Sequence, residues 1–209
     1  MSNNQKNLYE ELIQNMILDG ITGMTPKLKA LVEKAPVEKQ RSMILTILEE
    51  NNVEHRLFCS KIHKTISDSS ITEATHIKSV VQMLREYVKV SATEVKTMGE
   101  VMTPIELVEE MLDTLPVDVW SNSNLRWLDP CNGVGTFMSV VVERLMNGLK
   151  NFEPDDNKRY KHIIENLIYV CELQAKNMFL FLYAFDPKNE YALNVYNGSF
   201  LDERFDNHM

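Results

Sequence analysis

Leu128-Asp129-Pro130-Cys131-Asn132-Gly133-Val134-Gly135-Thr136-Phe137 joins a short extended apolar run to an amphipathic helical pattern. Asp-Pro followed by Gly-x-Gly at such a junction predicts a tight turn with no side-chain bulk. A ligand can then lie against bare backbone, above the N-terminus of the next helix. A lone Gly-x-Gly carries little weight, so the surroundings decide. Upstream, Pro104 opens a helical pattern through Leu107, Val108, Met111 and Leu112, and a strand is expected at about 125–129. Downstream, 136–149 is helical in period and 151–159 (Asn-Phe-Glu-Pro-Asp-Asp-Asn-Lys-Arg) reads as a polar loop. Two further strand ends follow, at Leu167–Leu173 and Ala192–Leu201. Strand–helix–strand–helix–strand predicts an α/β unit built on a parallel sheet with right-handed crossovers.

Residues 1–90 have a different character. Leu8, Leu12, Ile13, Met16 and Ile17 follow helical spacing up to Gly20, and Thr25-Pro26 resembles a helix start before Leu28, Leu31 and Val32. Pro36 opens a pattern with Met43, Ile44, Ile47 and Leu48 inward, ended by Asn51-Asn52. Ser70-x-x-Glu73 is a capping-box pattern ahead of Ile77, Val80, Val81, Leu84 and Val88. A helical domain over 1–92 and an α/β domain over 93–209 are therefore expected. His55, Cys59 and His63 share one helix face, but i to i+8 spans about 12 Å of rise, so convergence on one metal ion is not expected.

The chain has 209 residues and is 44% hydrophobic, enough to bury the core of one large or two small domains. No apolar run approaches the roughly 20 residues of a membrane span, and the N-terminus has no apolar segment like a secretory signal. Three well-separated cysteines, Cys59, Cys131 and Cys171, make no disulfide framework and suit a reducing, cytoplasmic setting without a membrane partner. The net charge of −8 is uneven: residues 1–90 hold 12 Lys/Arg against 11 Asp/Glu, leaving 10 against 19 for residues 91–209. Nucleic-acid binders show a basic footprint; the total charge here has none, which disfavours independent DNA binding by these residues.

Gly99-Glu100-Val101-Met102-Thr103-Pro104, the Asp129–Phe137 turn, Glu172 at the second strand end and Gly198-Ser199 at the third resemble one family in combination. It is the N-terminal part of the S-adenosyl-L-methionine (AdoMet)-dependent adenine-N6 DNA methyltransferases, the N-6 DNA methylases of restriction-modification systems and phages. That family carries Gly-x-x-Phe-Thr-Pro, then Asp-Pro-x-x-Gly-x-Gly-x-Phe, an acidic residue ending the next strand, and a Gly-Asp-type turn. The resemblance spans about residues 95–205. It implies a class I AdoMet-methyltransferase sheet, Rossmann-like and truncated here, and an adenine-specific, site-specific DNA methyltransferase activity on duplex DNA.

The resemblance also implies an AdoMet site. Asp129, Gly133, Gly135 and Thr136 would hold the methionine part, with Asp129 near its ammonium. Glu172, followed by Leu173, would accept the ribose hydroxyls; it lies 37 residues after Gly135, beyond the usual spacing of about 20, and the polar run 151–159 accounts for the excess. Ser199 stands where the family has Asp, so its hydrogen bond to the adenine amine is without charge. Phe200 packs either on adenine or in the core. Met102 replaces the family's Phe. Thr103 and Pro104 start a helix whose dipole favours the methionine carboxylate, or they serve as a cap alone. Cys131-Asn132 stands where a small residue followed by Cys is frequent.

The family's catalytic Asn/Asp-Pro-Pro-Tyr/Phe, whose aromatic stacks on the flipped base, is not found. None of the seven prolines is adjacent to another, and Phe185-Asp186-Pro187-Lys188 precedes the third strand, in the wrong place. The expectation is the N-terminal portion of a longer methyltransferase, with no catalytic residue among these 209, inactive alone, and with DNA contacts in regions outside them. Such a sheet leaves the 128–130 strand without its fourth-strand neighbour, so self-association or a covering segment is expected. Two alternatives stay open. One is a non-catalytic AdoMet-binding or assembly module, or part of a split methyltransferase completed by a second subunit. The other, a nicotinamide-dependent oxidoreductase, lacks the third glycine of Gly-x-Gly-x-x-Gly, having Met138 there.

Overall fold

A computed structural model describes residues 73–87, 101–186 and 190–202. Three strands, β1 (Trp127–Asp129), β2 (Ile168–Glu172) and β3 (Asn194–Asn197), form one sheet in the order β1-β2-β3. Both pairings are parallel, with Trp127 beside Ile168, Asp129 beside Val170, and Glu172 beside Asn197. Parallel neighbours need crossovers, and helices supply them. Between β1 and β2 run α3 (Thr136–Gly148), α4 (Asp156–His162) and a π-helical turn (Ile163–Leu167); between β2 and β3 runs α5 (Ala175–Phe185). The expected α/β character is present, and the arrangement is consistent with a Rossmann-like sheet.

The core lies where these helices meet the sheet. Helix α3 buries Met138, Val140, Val141, Val142, Leu145 and Met146, apolar nearly all round because other helices cover its outer side. One of these, α1 (Glu73–Tyr87), places Ile77, Val80, Val81 and Leu84 on a single buried stripe and packs against α3 and α5. The other, α2 (Ile105–Asp113), buries Ile105, Val108 and Leu112 and also packs on α3. Lys78 of α1 bonds Glu109 of α2 and Glu143 of α3, tying the three helices at the surface. A 3₁₀ turn, Val117–Ser121, brings Trp120 onto Trp127 of β1, with ring centroids 4.7 Å apart and planes 9° from parallel. The Arg144 guanidinium lies 5.0 Å over Trp120. Gly148 permits this approach, since a Cβ there would stand 2.1 Å from the Trp120 carbonyl oxygen.

Several boundaries differ from the sequence expectation. Strand β1 starts at Trp127 rather than 125, because Leu125 N–H turns back to the Asn122 carbonyl. The run 151–159 is not all loop: the Asp155 carboxylate accepts from Lys158 N–H at 2.9 Å and caps α4. Helix α2 begins at Ile105 with Pro104 as its N-cap residue, and Thr103 stands one position outside. The capping box at Ser70, the helices expected before it, the 92/93 domain boundary and the His55, Cys59 and His63 set lie outside the described residues. Among the described residues no helix is long and apolar enough to cross a membrane, and β1 has a single sheet neighbour, with Leu128 47% exposed.

Candidate functional site

In a parallel α/β sheet, ligands bind beyond the C-terminal strand ends. Asp129 ends β1 there, Glu172 ends β2, and Asn197-Gly198-Ser199 follow from β3. The turn after Asp129 is pinned by its own backbone: Asn132 N–H donates to the Cys171 carbonyl of β2 at 3.0 Å, and Gly135 N–H to the Asn132 carbonyl at 2.9 Å. Asp129 Oδ1 accepts from Cys131 N–H at 3.1 Å, an Asx turn that the Asp-Pro pair anticipates.

The two glycines have different tasks. Gly133 has φ +57° and a Cβ there would meet nothing within 4 Å, so the backbone faces open space. Gly135 has φ +92°, and a Cβ there would stand 2.7 Å from Phe181 and 2.8 Å from Phe185. Gly135 therefore seats the turn against α5, while Gly133 leaves the surface bare. The sequence assigned both glycines to ligand approach; the side-chain position is open at Gly133 and filled by Phe181 and Phe185 at Gly135.

Glu172 joins the parts. Its Oε2 accepts from Gly133 N–H at 2.7 Å and its Oε1 from Gln174 N–H at 2.7 Å. Its main-chain carbonyl accepts from Gly198 N–H at 3.0 Å and from Asn197 Nδ2 at 2.8 Å. The Cys171 thiol donates to the Gly198 carbonyl at 3.2 Å. Ser199 Oγ accepts from Leu201 N–H at 3.2 Å, which shapes the turn after β3. Leu173 is 57% exposed and Phe200 41%, so both apolar side chains reach the surface beyond the ends of β2 and β3. Phe200 is thus a surface residue rather than core.

The electrostatics are acidic. Burial pushes the Asp129 carboxyl above the ordinary carboxylate range, against the pull of its bond from Cys131 N–H. Burial first, then the charges of Asp129 and Glu172, raise the Cys131 thiol. The buried Cys171 thiol goes up to about 11, through burial and then the neighbouring Cys131, Glu172 and Asp129. Neither thiol is activated as a nucleophile.

Asp129, Gly133, Glu172 and Gly198-Ser199 thus converge. Met102 to Pro104 attach elsewhere: Met102 packs against the core and its carbonyl accepts from Arg85 of α1 at 3.4 Å, Thr103 is half-buried, and Pro104 is exposed at the start of α2. Thr136 is the first residue of α3 and is buried. The sequence did not mark Asn132 or Asn197. Asn132 is 4% exposed, its Nδ2 donates to the Gly133 carbonyl at 3.2 Å, and its Oδ1 has no partner. Asn197 precedes a glycine at a strand end, a signal that could have drawn attention to it. Asp186, from the fragment nearest to a Pro-Pro motif, spends its buried carboxylate on Glu190 and Tyr191 N–H, closing the turn after α5.

Over 73 residues the chain is 44% identical to an uncharacterized adenine-specific methylase of Mycoplasma pneumoniae. The match covers 34% of this chain and 17% of the relative. No protein-family model and no solved structure matches. The similarity suggests a methylase family and leaves substrate and target to the site's own chemistry.

Proposed function

We propose that this chain binds AdoMet across the C-terminal ends of β1, β2 and β3 and forms the cofactor half of an adenine-N6 methyltransferase acting on duplex DNA. The observation that carries it is the fate of the Gly133 N–H. In a phosphate-binding glycine turn such amides point at the anion. Here the amide is spent on the Glu172 carboxylate at 2.7 Å, with Asp129 at the neighbouring strand end. A turn flanked by two carboxylates repels a pyrophosphate and favours a cationic ligand bearing hydroxyls. This disfavours the nicotinamide dinucleotide alternative.

The donor set fits AdoMet group by group. Asp129 suits the ammonium, Glu172 the ribose diol, and exposed Leu173 and Phe200 a flat adenine ring, with Ser199 Oγ beside them in sequence. The segment Met102 to Pro104, which the resemblance assigns to the methionine carboxylate, attaches to α1 and the core away from this group and is not part of the set. Bound AdoMet supplies an electrophilic methyl group on a sulfonium. These residues orient that group, while Gly133 lets the ligand approach backbone without a side chain between them. The similarity to an adenine-specific methylase supports the acceptor assignment.

A second reading, cofactor binding without transfer or as one part of a split enzyme, draws on the missing Asn/Asp-Pro-Pro-Tyr/Phe. Calorimetry with AdoMet and with NAD tests the shared premise. AdoMet binding, weakened in Glu172→Ala, is expected; preference for NAD would overturn the assignment.

A further inference from the structure

We infer that Glu172 and Asn132 clamp the Gly133 peptide from both ends, which makes them positioning residues for the ligand-bearing turn. Glu172 then has a task independent of the ribose. For its ligand this rests on the AdoMet reading; for its geometry it does not.

Glycine has the largest backbone freedom of any residue, and Gly133 holds φ +57°. Left alone, such a turn would sample many shapes and bind its ligand at an entropic cost. Instead both polar groups of Gly133 are held by side chains. Glu172 Oε2 takes its N–H at 2.7 Å, and Asn132 Nδ2 gives to its carbonyl at 3.2 Å. The clamping groups are themselves fixed. Glu172 is 7% exposed and its other oxygen holds Gln174 N–H. Asn132 is buried, with its N–H on the Cys171 carbonyl and its carbonyl receiving Gly135 N–H.

The bond from Gly133 N–H to the Glu172 carboxylate is charge-assisted and part-buried, the stronger class of hydrogen bond. A carboxylate has about four lone-pair sites, so the clamp and a ribose contact are compatible. The position where a Gly133 side chain would stand is open, while its N–H and carbonyl are both taken. The turn therefore gives the ligand a preformed surface rather than backbone hydrogen bonds from Gly133.

The test has a ligand-free arm and a binding arm, each run on wild type, Glu172→Gln and Asn132→Leu. Without ligand, the Gly133 amide resonance and its hydrogen exchange are measured by NMR. The clamp predicts a downfield wild-type amide that moves upfield and exchanges faster in Glu172→Gln. An amide that does not move overturns the clamp. With ligand, calorimetry uses S-adenosylhomocysteine and its 2′,3′-dideoxy counterpart.

The clamp predicts that each substitution weakens both ligands, the dideoxy one by about tenfold for loss of one such bond, with Glu172→Gln weakening the hydroxyl-bearing ligand further through the ribose. Asn132→Leu is expected to do so with little change in melting temperature, which a merely structural role would move instead. If Glu172→Gln weakens only the hydroxyl-bearing ligand, Glu172 serves the ribose alone and the inference fails. If wild type binds neither ligand while the Gly133 amide still responds, the clamp stands and the AdoMet assignment falls.

Discussion

At the scale of single residues, the turn divides stability from binding. Gly135→Ala drives a methyl group into Phe181 and Phe185 at a φ that alanine rarely adopts. A loss of about 2–4 kcal/mol in chemical denaturation is expected from overpacking and strain together. Gly133→Ala meets open space and carries only the left-handed backbone cost of about 1–2 kcal/mol. Its larger effect is expected on ligand affinity, since the new methyl stands where a ligand would lie. Asp129 shows the same division through pH. Its folded pKa is raised by burial, so the folded state takes up the proton more readily than the unfolded chain. Its contribution is therefore favourable in acid and is lost as pH rises through the raised value. Asp129→Asn is expected to raise the melting temperature at pH 7, by an amount that shrinks toward about pH 4, while weakening an ammonium-bearing ligand. Melting curves across pH for both proteins check this. Asp129, Gly133 and Glu172 were legible in the sequence because a strand end and a glycine turn leave a local signature. The bond between Gly133 and Glu172 was not, because it joins residues 39 apart.

Among the elements, α1 shows which interactions matter. Its ion pairs link Lys78 to Glu109 and Glu143, but all three side chains are substantially exposed. Exposed pairs contribute little, so Lys78→Ala is expected to cost less than about 1 kcal/mol. Leu84, fully buried against its neighbours, is another matter: Leu84→Ala is expected to cost about 2–5 kcal/mol by leaving a cavity. Urea unfolding of both variants checks the order. The apolar stripe of α1 was legible from its 3.6-residue period. Its partners were not, since periodicity says that a face is buried and not against what; the structure seats it on α3 and α5. The start of α4 was missed for a related reason. Asp155, Asp156 and Asn157 look like loop polarity, yet one carboxylate caps a helix that buries Arg159 and Tyr160. The buried Arg159 gives to the Glu153 and Pro154 carbonyls, contacts that no residue pattern announces.

Over the whole molecule, the sheet is lopsided. Strand β2 is bordered on both sides and β1 on one among the described residues. Amides of β2 are therefore expected to exchange more slowly than those of β1, measured by hydrogen–deuterium exchange. Equal protection would show that a further segment or a second copy pairs with β1. The proposed donor binding is testable apart from transfer at this scale. Labelled AdoMet incubated with the purified 209-residue chain and mixed-sequence duplex DNA is expected to leave adenine unlabelled. Label in adenine would show that the acceptor chemistry lies within these residues after all. The parallel sheet was readable from alternating elements, whereas how far the edge is covered depends on pairing that no local pattern encodes. The stacked indoles of Trp120 and Trp127 have a practical consequence. They are the chain's two tryptophans, so nearly all ultraviolet-excited emission arises from one coupled pair, whose Trp127 lies on the strand that ends two residues later at Asp129. The molecule thus carries its own dye: a shift in that emission, or in the exciton signal of the pair in circular dichroism, reports events at the end of β1 with no label attached.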